Sequence, residues 1–86
     1  MLFSVYILES GFDGNRYIGF TTNLNRRLEE HNNGKSLSTK YRLPMKLIYC
    51  EVCTNETDAR RREKYFKTTD GRRFLAKRLK NYYQSQ

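Results

Sequence analysis

The chain has 86 residues, enough for a single domain spanning residues 1–86 and too few for a second hydrophobic core. Its 17 lysines and arginines against 9 aspartates and glutamates give a formal net charge of +8, which predicts a polyanionic partner. No apolar run approaches the roughly 20 residues of a membrane span, and the N-terminal residues lack the basic start of a signal peptide. We therefore expect a cytoplasmic protein that binds nucleic acid and no membrane.

A hairpin is predicted at the start of the chain. Residues 2–8 follow a strand-like pattern, and residues 16–20 form a second short apolar and aromatic run. Residues 10–15, Ser-Gly-Phe-Asp-Gly-Asn, are dense in turn formers and predict the turn between these two strands.

The first helix is predicted to follow the hairpin, with Thr21 or Thr22 as its N-cap and Asn33-Gly34 at its end. Residues 35–44 then form a polar loop, and residues 46–53 have the composition of a third strand.

Two more helices are predicted after that strand. The second helix begins at Thr54 or Asn55 and runs to about Lys67, and Gly71 separates it from a third helix over about residues 72–82. The resulting order, β-β-α-β-α-α, predicts an α/β (α+β) fold with a three-stranded, mainly antiparallel sheet flanked by helices.

Cys50 and Cys53 form a single Cys-x-x-Cys motif, which could be half of a zinc site, a redox pair or two structural cysteines. Residues three apart on a strand face opposite sides of the sheet. The chain has no second cysteine pair and only one histidine, His31. We therefore predict that both cysteines are structural.

Three polar residues fall on or beside the apolar faces of the predicted helices. In the first helix, Arg27 and His31 flank the stripe defined by Leu24 and Leu28. In the second helix, Glu63 lies on the apolar face itself. A carboxylate in that position costs free energy unless it is paired or binds a metal.

Two interpretations of Glu63 are open on periodicity alone. The first is a buried ion pair, with Arg27 or Arg62 as the partner. The second is a functional site. Tyr6 and Tyr17 lie on either side of the hairpin turn. Because aromatic residues are common in strands, each taken alone favours packing over catalysis.

The order of these residues along the chain resembles that of the GIY-YIG nuclease family. Ser4-Val5-Tyr6 occupies the place of the first tripeptide, and Tyr17-Ile18-Gly19 matches the second in full after a gap of ten residues. Arg27 and His31 then fit the first helix of the family, and Glu63 fits the helix that carries its metal-binding glutamate. The small stand-alone domains of the family are the closest likeness, which extends to the incision domain of bacterial nucleotide excision repair.

The resemblance implies a divalent-metal-dependent endonuclease that hydrolyses phosphodiester bonds. In it, Tyr6 would take a proton from water, with its pKa lowered from about 10 by Arg27 and a metal. Glu63 would hold one Mg²⁺ or Mn²⁺, and Arg27 would clamp the scissile phosphate. Tyr17 would hydrogen-bond to that phosphate or to Tyr6. For His31, a proton relay, an orienting contact to Arg27 and a purely structural role are all open.

The expected substrate is DNA, contacted through its phosphates, with RNA as a further possibility. The basic residues expected to bind phosphates are Lys35, Lys40, Arg42, Arg72 and Arg73, although each could also be an ordinary solvated surface charge. The expected function is cleavage directed by DNA structure or backbone, in repair or recombination. The alternative is a nucleic-acid-binding module that keeps the fold and has little or no activity. The sequence leaves the oligomeric state open.

Overall fold

One antiparallel sheet of three strands forms the centre of the protein. The computed structural model describes residues 1–85. The strands are β1 (Phe3–Ser10), β2 (Arg16–Thr21) and β3 (Met45–Cys53), arranged in the order β2-β1-β3. β1 pairs antiparallel with both neighbours, so the predicted hairpin and sheet are confirmed.

Four helices complete the described residues. They are α1 (Leu24–Asn32), α2 (Glu56–Phe66), α3 (Thr69–Arg78) and the short α4 (Lys80–Gln84). The predicted α/β (α+β) fold class is therefore confirmed. The third predicted helix, over about residues 72–82, is divided in the structure. Its helical conformation is interrupted at Leu79, so it forms α3 and α4.

The N-cap of α1 is Asn23, so the prediction of Thr21 or Thr22 is wrong. The Asn23 side chain accepts a hydrogen bond from the Arg26 backbone N–H at 3.1 Å. Thr21 lies before the helix, and its hydroxyl accepts a hydrogen bond from the backbone N–H of the cap residue Asn23 at 3.0 Å. At α2 the cap is Asn55, one of the two predicted residues, which accepts from the Asp58 N–H at 3.1 Å.

Gly71 lies inside α3, so the prediction that it separates two helices is also wrong. Thr68 caps α3 by accepting from the Gly71 N–H at 3.1 Å. A Cβ at this position would lie 2.7 Å from the Cα of Phe66 and even closer to the carbonyl oxygen of Tyr65. The glycine is therefore needed for the close packing of α3 on the end of α2, whereas the sequence pattern suggested a helix break.

Alternate side chains of β1 enter two different cores. Val5 and Ile7 face α2 and α3, where they pack with Phe66 and Leu75 among others. Tyr6 and Leu8 face the opposite side of the sheet, where Met45, Leu24 and Leu28 cover them. Full burial of side chains of this size contributes about 1.5–3 kcal/mol each. β1 is thus covered on both faces, and its second face carries the candidate site.

Cys50 and Cys53 both lie in β3 as half-buried free thiols, in register with Tyr6 and Phe3. Burial raises the pKa of Cys50, which keeps it protonated. Within residues 1–85, no three His, Cys, Asp or Glu side chains are grouped closely enough to hold a metal ion on their own. In the same part of the chain, every helix is too short or too polar to cross a membrane.

Candidate active site

The Tyr6 ring lies directly against the backbone of Gly19. Tyr6 and Gly19 are cross-strand partners in β1 and β2, and Tyr6 is buried. A Cβ at position 19 would lie 2.3 Å from both Cζ and the hydroxyl oxygen of Tyr6. Real side-chain atoms do not approach so closely, so the glycine of Tyr17-Ile18-Gly19 provides the space that Tyr6 occupies.

His31 joins the Tyr6 hydroxyl to the loop between α1 and β3. Its Nε2 lies 2.9 Å from the Tyr6 hydroxyl, and its Nδ1 lies 2.7 Å from the Thr39 hydroxyl. All three side chains are buried. Burial lowers the pKa of His31, and the positive charge of Arg27 lowers it further, so the imidazole is neutral at neutral pH.

Tyr17 completes an aromatic cluster with Tyr6 and His31. The Tyr17 ring centroid lies 5.1 Å from that of His31 and 6.3 Å from that of Tyr6, and Tyr6 and His31 are 5.7 Å apart. These spacings are within the usual range for packed aromatic rings. The cluster fixes the Tyr6 hydroxyl at the meeting point of β1, β2 and α1.

Burial raises the pKa of Tyr6, and Arg27 alone does not reverse this. The Arg27 guanidinium beside the hydroxyl opposes the effect of burial, while Tyr17 and the carboxylate of Glu63 add to it. The net direction is upward because removing the phenolate from water outweighs the cation. Tyr6 is therefore protonated at neutral pH, and any proton it takes from water must replace one that it gives away.

Arg27 is half-exposed and keeps its charge. Its Nη1 lies 3.2 Å from a carboxylate oxygen of Glu30, one turn further along α1. Burial lowers the pKa of Arg27, but the neighbouring Tyr6, Glu30 and Tyr17 outweigh this and raise it overall. Arg27 is thus a cation held beside both tyrosines, with part of its surface open to solvent.

Glu63 is mostly covered, with 17% of its side chain exposed. It pairs with neither Arg27 nor Arg62 among the described contacts, so the sequence-based hypothesis of a buried arginine partner is wrong. Its oxygens lie 3.5 Å from Arg60 Nη1 and 3.5 Å from Lys67 Nζ. Arg60 lies in α2, as Glu63 does, and Lys67 is the C-cap residue of that helix. Arg62 binds Glu51 on β3 through two hydrogen bonds of 2.8 and 2.7 Å.

The carboxylate of Glu63 fits the donor chemistry of a single hard cation. Its two ion pairs are longer than the 2.7–2.9 Å typical of tight charge-assisted hydrogen bonds, so lone pairs remain available. Because Glu63 belongs to no group of three or more His, Cys, Asp or Glu side chains within residues 1–85, most of the other ligands would be water and substrate oxygens. Mg²⁺ accepts such a coordination sphere.

The predicted phosphate-binding residues fall into two groups. Lys35, Lys40 and Arg42 lie in the loop that also carries Thr39, beside the aromatic cluster. Arg72 and Arg73 are exposed on α3, which packs on the opposite face of the sheet. Arg72 lines a cavity of about 520 Å³ there, together with Arg16 and Lys67 among others. The structure therefore does not bring all five cations to one surface.

Two positioning residues were not recognised from the sequence. Thr39 lies eight residues from His31 in a polar loop, and no local pattern marks it as a buried partner. Asn32 joins the end of α1 to β3, donating to the Met45 carbonyl oxygen at 3.1 Å and accepting from the Met45 N–H at 3.0 Å. For Glu30, by contrast, the i,i+3 spacing from Arg27 is a signal that the sequence does contain.

Comparison with known proteins identifies the family. The family model of the GIY-YIG catalytic domain matches residues 2–78. The chain belongs to the GIY-YIG family. It therefore carries a catalytic domain of the endonuclease type.

Several relatives of this GIY-YIG chain carry the name UPF0213, which states no activity. A UPF0213 protein of Streptococcus agalactiae is 45% identical over 64 residues, covering 73% of this chain and 72% of that protein. One from Staphylococcus epidermidis is 42% identical over 65 residues, covering 74% and 78%. The solution NMR structure of a UPF0213 protein from Bacillus halodurans is similar in fold, with a TM-score of 0.57 and 32% identity, covering 90% of this chain and 84% of that one.

Proposed function

We propose that this protein is a divalent-metal-dependent endonuclease that hydrolyses phosphodiester bonds in DNA, directed by DNA structure or backbone, in repair or recombination. The observation that carries the proposal is the buried Tyr6 hydroxyl, held 2.9 Å from a neutral His31 and beside the charged Arg27. A buried structural tyrosine needs one hydrogen-bond partner, which His31 alone would supply. The cation of Arg27 beside the same oxygen is an addition that a hydroxyl passing a proton would use.

His31 would act as the base through Tyr6. If His31 Nδ1–H donates to the Thr39 oxygen, Nε2 is left to accept the Tyr6 proton. Tyr6 can then take a proton from the attacking water while it gives its own to His31. This arrangement avoids a free tyrosinate, which burial makes costly.

Arg27 and Glu63 would provide the charges that the phosphate needs. The partly exposed guanidinium of Arg27 can contact two phosphate oxygens at once, which suits its planar shape. Glu63 would hold a Mg²⁺ or Mn²⁺ ion, which when bound supplies counter-charge for the phosphate oxygens. Tyr17, packed on His31, would hydrogen-bond to the same phosphate.

The test is a nicking assay on supercoiled plasmid and on branched DNA, with Mg²⁺ or Mn²⁺ and with EDTA as the control. We expect metal-dependent nicking that Tyr6→Phe reduces by at least about 10²-fold, the size of a general acid–base contribution. Tyr65→Phe is the matched control, because its hydroxyl bonds the Asp70 carbonyl on the surface at 3.3 Å. A wild-type protein that binds DNA without nicking it would instead support the binding-module alternative. If the protein cleaved RNA and left DNA intact, the substrate would be RNA and the proposal of a DNA endonuclease would be wrong.

A further inference from the structure

Two aromatic side chains are exposed on the hairpin turn and on the loop that carries Thr39. Of the 7 tyrosines and 5 phenylalanines, Phe12 and Tyr41 are the exposed ones, at 75% and 80% of their surface. The others are buried or half-buried by packing within the protein. Packing in this chain therefore does not account for Phe12 and Tyr41, and we call these two rings the stacking rim.

The stacking rim stands on two loops that are bonded together. Phe12 precedes Asp13 in the hairpin turn, and Tyr41 precedes Arg42 in the loop between α1 and β3. Arg42 Nε lies 3.2 Å from the Asp13 carboxylate. Ser10 Oγ donates to the Arg42 carbonyl oxygen at 2.5 Å. The two rings therefore project from backbones that are fixed relative to each other.

The same loop contacts the candidate active site at two points. Arg42 Nη2 donates to the carbonyl oxygen of Arg16 at 3.3 Å, one residue before Tyr17. Thr39, two residues before Tyr41, contacts His31. The loops that carry the rim are thus bonded to the residue before Tyr17 and to His31. We therefore place the rim along the path of a strand whose phosphate lies at Tyr17 and Arg27.

The charge around the rim favours a polyanion. Lys40 Nζ lies 4.9 Å from the centre of the Tyr41 ring, and Lys35 is exposed in the same loop. The nearby carboxylate of Asp13 is already paired with Arg42. Within residues 1–85 neither lysine forms an ion pair. An aromatic surface beside such cations is the combination with which proteins hold single-stranded nucleic acid, since bases stack on the rings while cations contact phosphates.

We propose that Phe12 and Tyr41 stack on unpaired bases of the strand that is cut. The proposal rests on the proposed function and specifies its substrate class, a strand with unpaired nucleotides beside the scissile phosphate. In a blunt duplex both faces of each internal base are covered by neighbouring bases, so an exposed ring has nothing to stack on. An acidic protein would be attracted by the same lysines, but it would not need planar rings.

The experiment measures binding in EDTA, where no cleavage occurs, by fluorescence anisotropy at constant salt. The probes are a short labelled single strand, the same strand with several central bases removed, and the corresponding blunt duplex. The wild-type protein should bind the intact strand about tenfold or more tighter than the abasic strand, which has the same phosphates. The Phe12→Ala, Tyr41→Ala double variant should bind those two strands equally, with duplex affinity changed by no more than about twofold.

Matched variants control for the loss of apolar surface. Val52→Ala shortens an exposed side chain of β3 and should keep the preference for the intact strand. Tyr41→Phe keeps the aromatic ring and should also keep the preference for the intact strand. Because both rings are exposed, the double variant should melt at nearly the wild-type temperature, which is measured alongside.

Two results would overturn the stacking rim. One is a wild-type protein that does not distinguish the intact strand from the abasic strand. The other is polyglutamate that displaces the strand from the wild-type protein but not from the double variant, which would assign the rim to an acidic protein. Base-dependent binding by a protein that fails to nick DNA would leave the rim standing while the proposed nuclease function falls. Nicking without base-dependent binding would support the proposed nuclease function and refute the stacking rim.

Discussion

Replacing Glu63 by alanine separates a metal-holding role from a structural one. The partners of Glu63, Arg60 and Lys67, are half-exposed, and both pairs measure 3.5 Å. Exposed pairs at i,i+3 and i,i+4 contribute about 0.3–0.5 kcal/mol each. The higher helix propensity of alanine stabilises the variant by a few tenths of a kcal/mol, which offsets part of this loss. The free energy of unfolding should therefore change by less than about 1 kcal/mol, which is a shift of less than about 8 °C in Tm.

The effect on catalysis should be much larger. If Glu63 holds the metal, its removal takes away several kcal/mol of transition-state stabilisation, which corresponds to a nicking rate lower by about 10²–10³-fold. The assays are thermal unfolding by circular dichroism and single-turnover nicking in Mg²⁺. Glu56→Ala is the matched control, because Glu56 lies on the same helix and pairs with the same Arg60, at 3.8 Å.

Two outcomes would refute this argument. A loss of about 3–5 kcal/mol in stability would mean that Glu63 compensates a buried cation, as one interpretation of the sequence suggested. Nicking at the wild-type rate in the alanine variant would remove Glu63 from the metal site. A rate loss of equal size in Glu56→Ala would show that the charge of α2 matters and not the position of Glu63.

Four further predictions follow from the contacts. Gly19→Ala places a Cβ 2.3 Å from Cζ of Tyr6 and must displace that ring from His31, so unfolding in urea should show a loss of about 1–3 kcal/mol and nicking should fall at least about tenfold. Burial lowers the pKa of His31, so the unfolded chain binds its proton first as the pH falls. Stability should therefore decrease below about pH 6.5, and the nicking rate should decline only below that pH. Arg62→Ala removes the two hydrogen bonds that hold the pKa of Glu51 below its usual range. The unfolding free energy at neutral pH should fall by about 1–3 kcal/mol. In the wild type, the contribution of Glu51 to the unfolding free energy is complete above pH 4.5 and is lost as the pH falls through the lowered pKa. In Arg62→Ala, urea unfolding at a series of pH values should show little of this dependence. Duplex affinity, if about four to six counterions are released, should fall by about 10²–10³-fold between roughly 50 and 200 mM salt in anisotropy measurements.

Each of these has a control or a contrary result. Gly14→Asn is the control for Gly19→Ala, because Gly14 has a positive φ of 72°, which asparagine tolerates, and its Cβ would meet nothing within 4 Å. A decline in nicking that begins above pH 6.5 would contradict a neutral His31. An unchanged acid dependence in Arg62→Ala would mean that Glu51 owes its low pKa to another group. Duplex binding that ignores salt would contradict recognition through phosphates.

The sequence by itself determined most of the elements and singled out five residues of the candidate site. Strand and helix periodicity are local properties, so the three strands and the course of α1 and α2 could be predicted from neighbouring residues alone. The spacing of Tyr6, Tyr17, Arg27, His31 and Glu63 is equally a property of the chain, and it pointed to the GIY-YIG family before any contact was known.

The tertiary structure decided what these residues contact. Gly71 resembled a helix break because glycine is a poor helix former, yet it lies within α3, where the approach of α2 leaves no room for a Cβ. Glu63 and Arg62 are neighbours in sequence, but Arg62 reaches Glu51 on β3 while Glu63 pairs within its own segment. Thr39 became the partner of His31 only through the course of a loop. Such contacts depend on strand register and helix docking, which join residues far apart in the chain, so no local pattern contains them. The direction of the Tyr6 pKa shift likewise depends on burial, and burial exists only once the sheet and α1 have packed together.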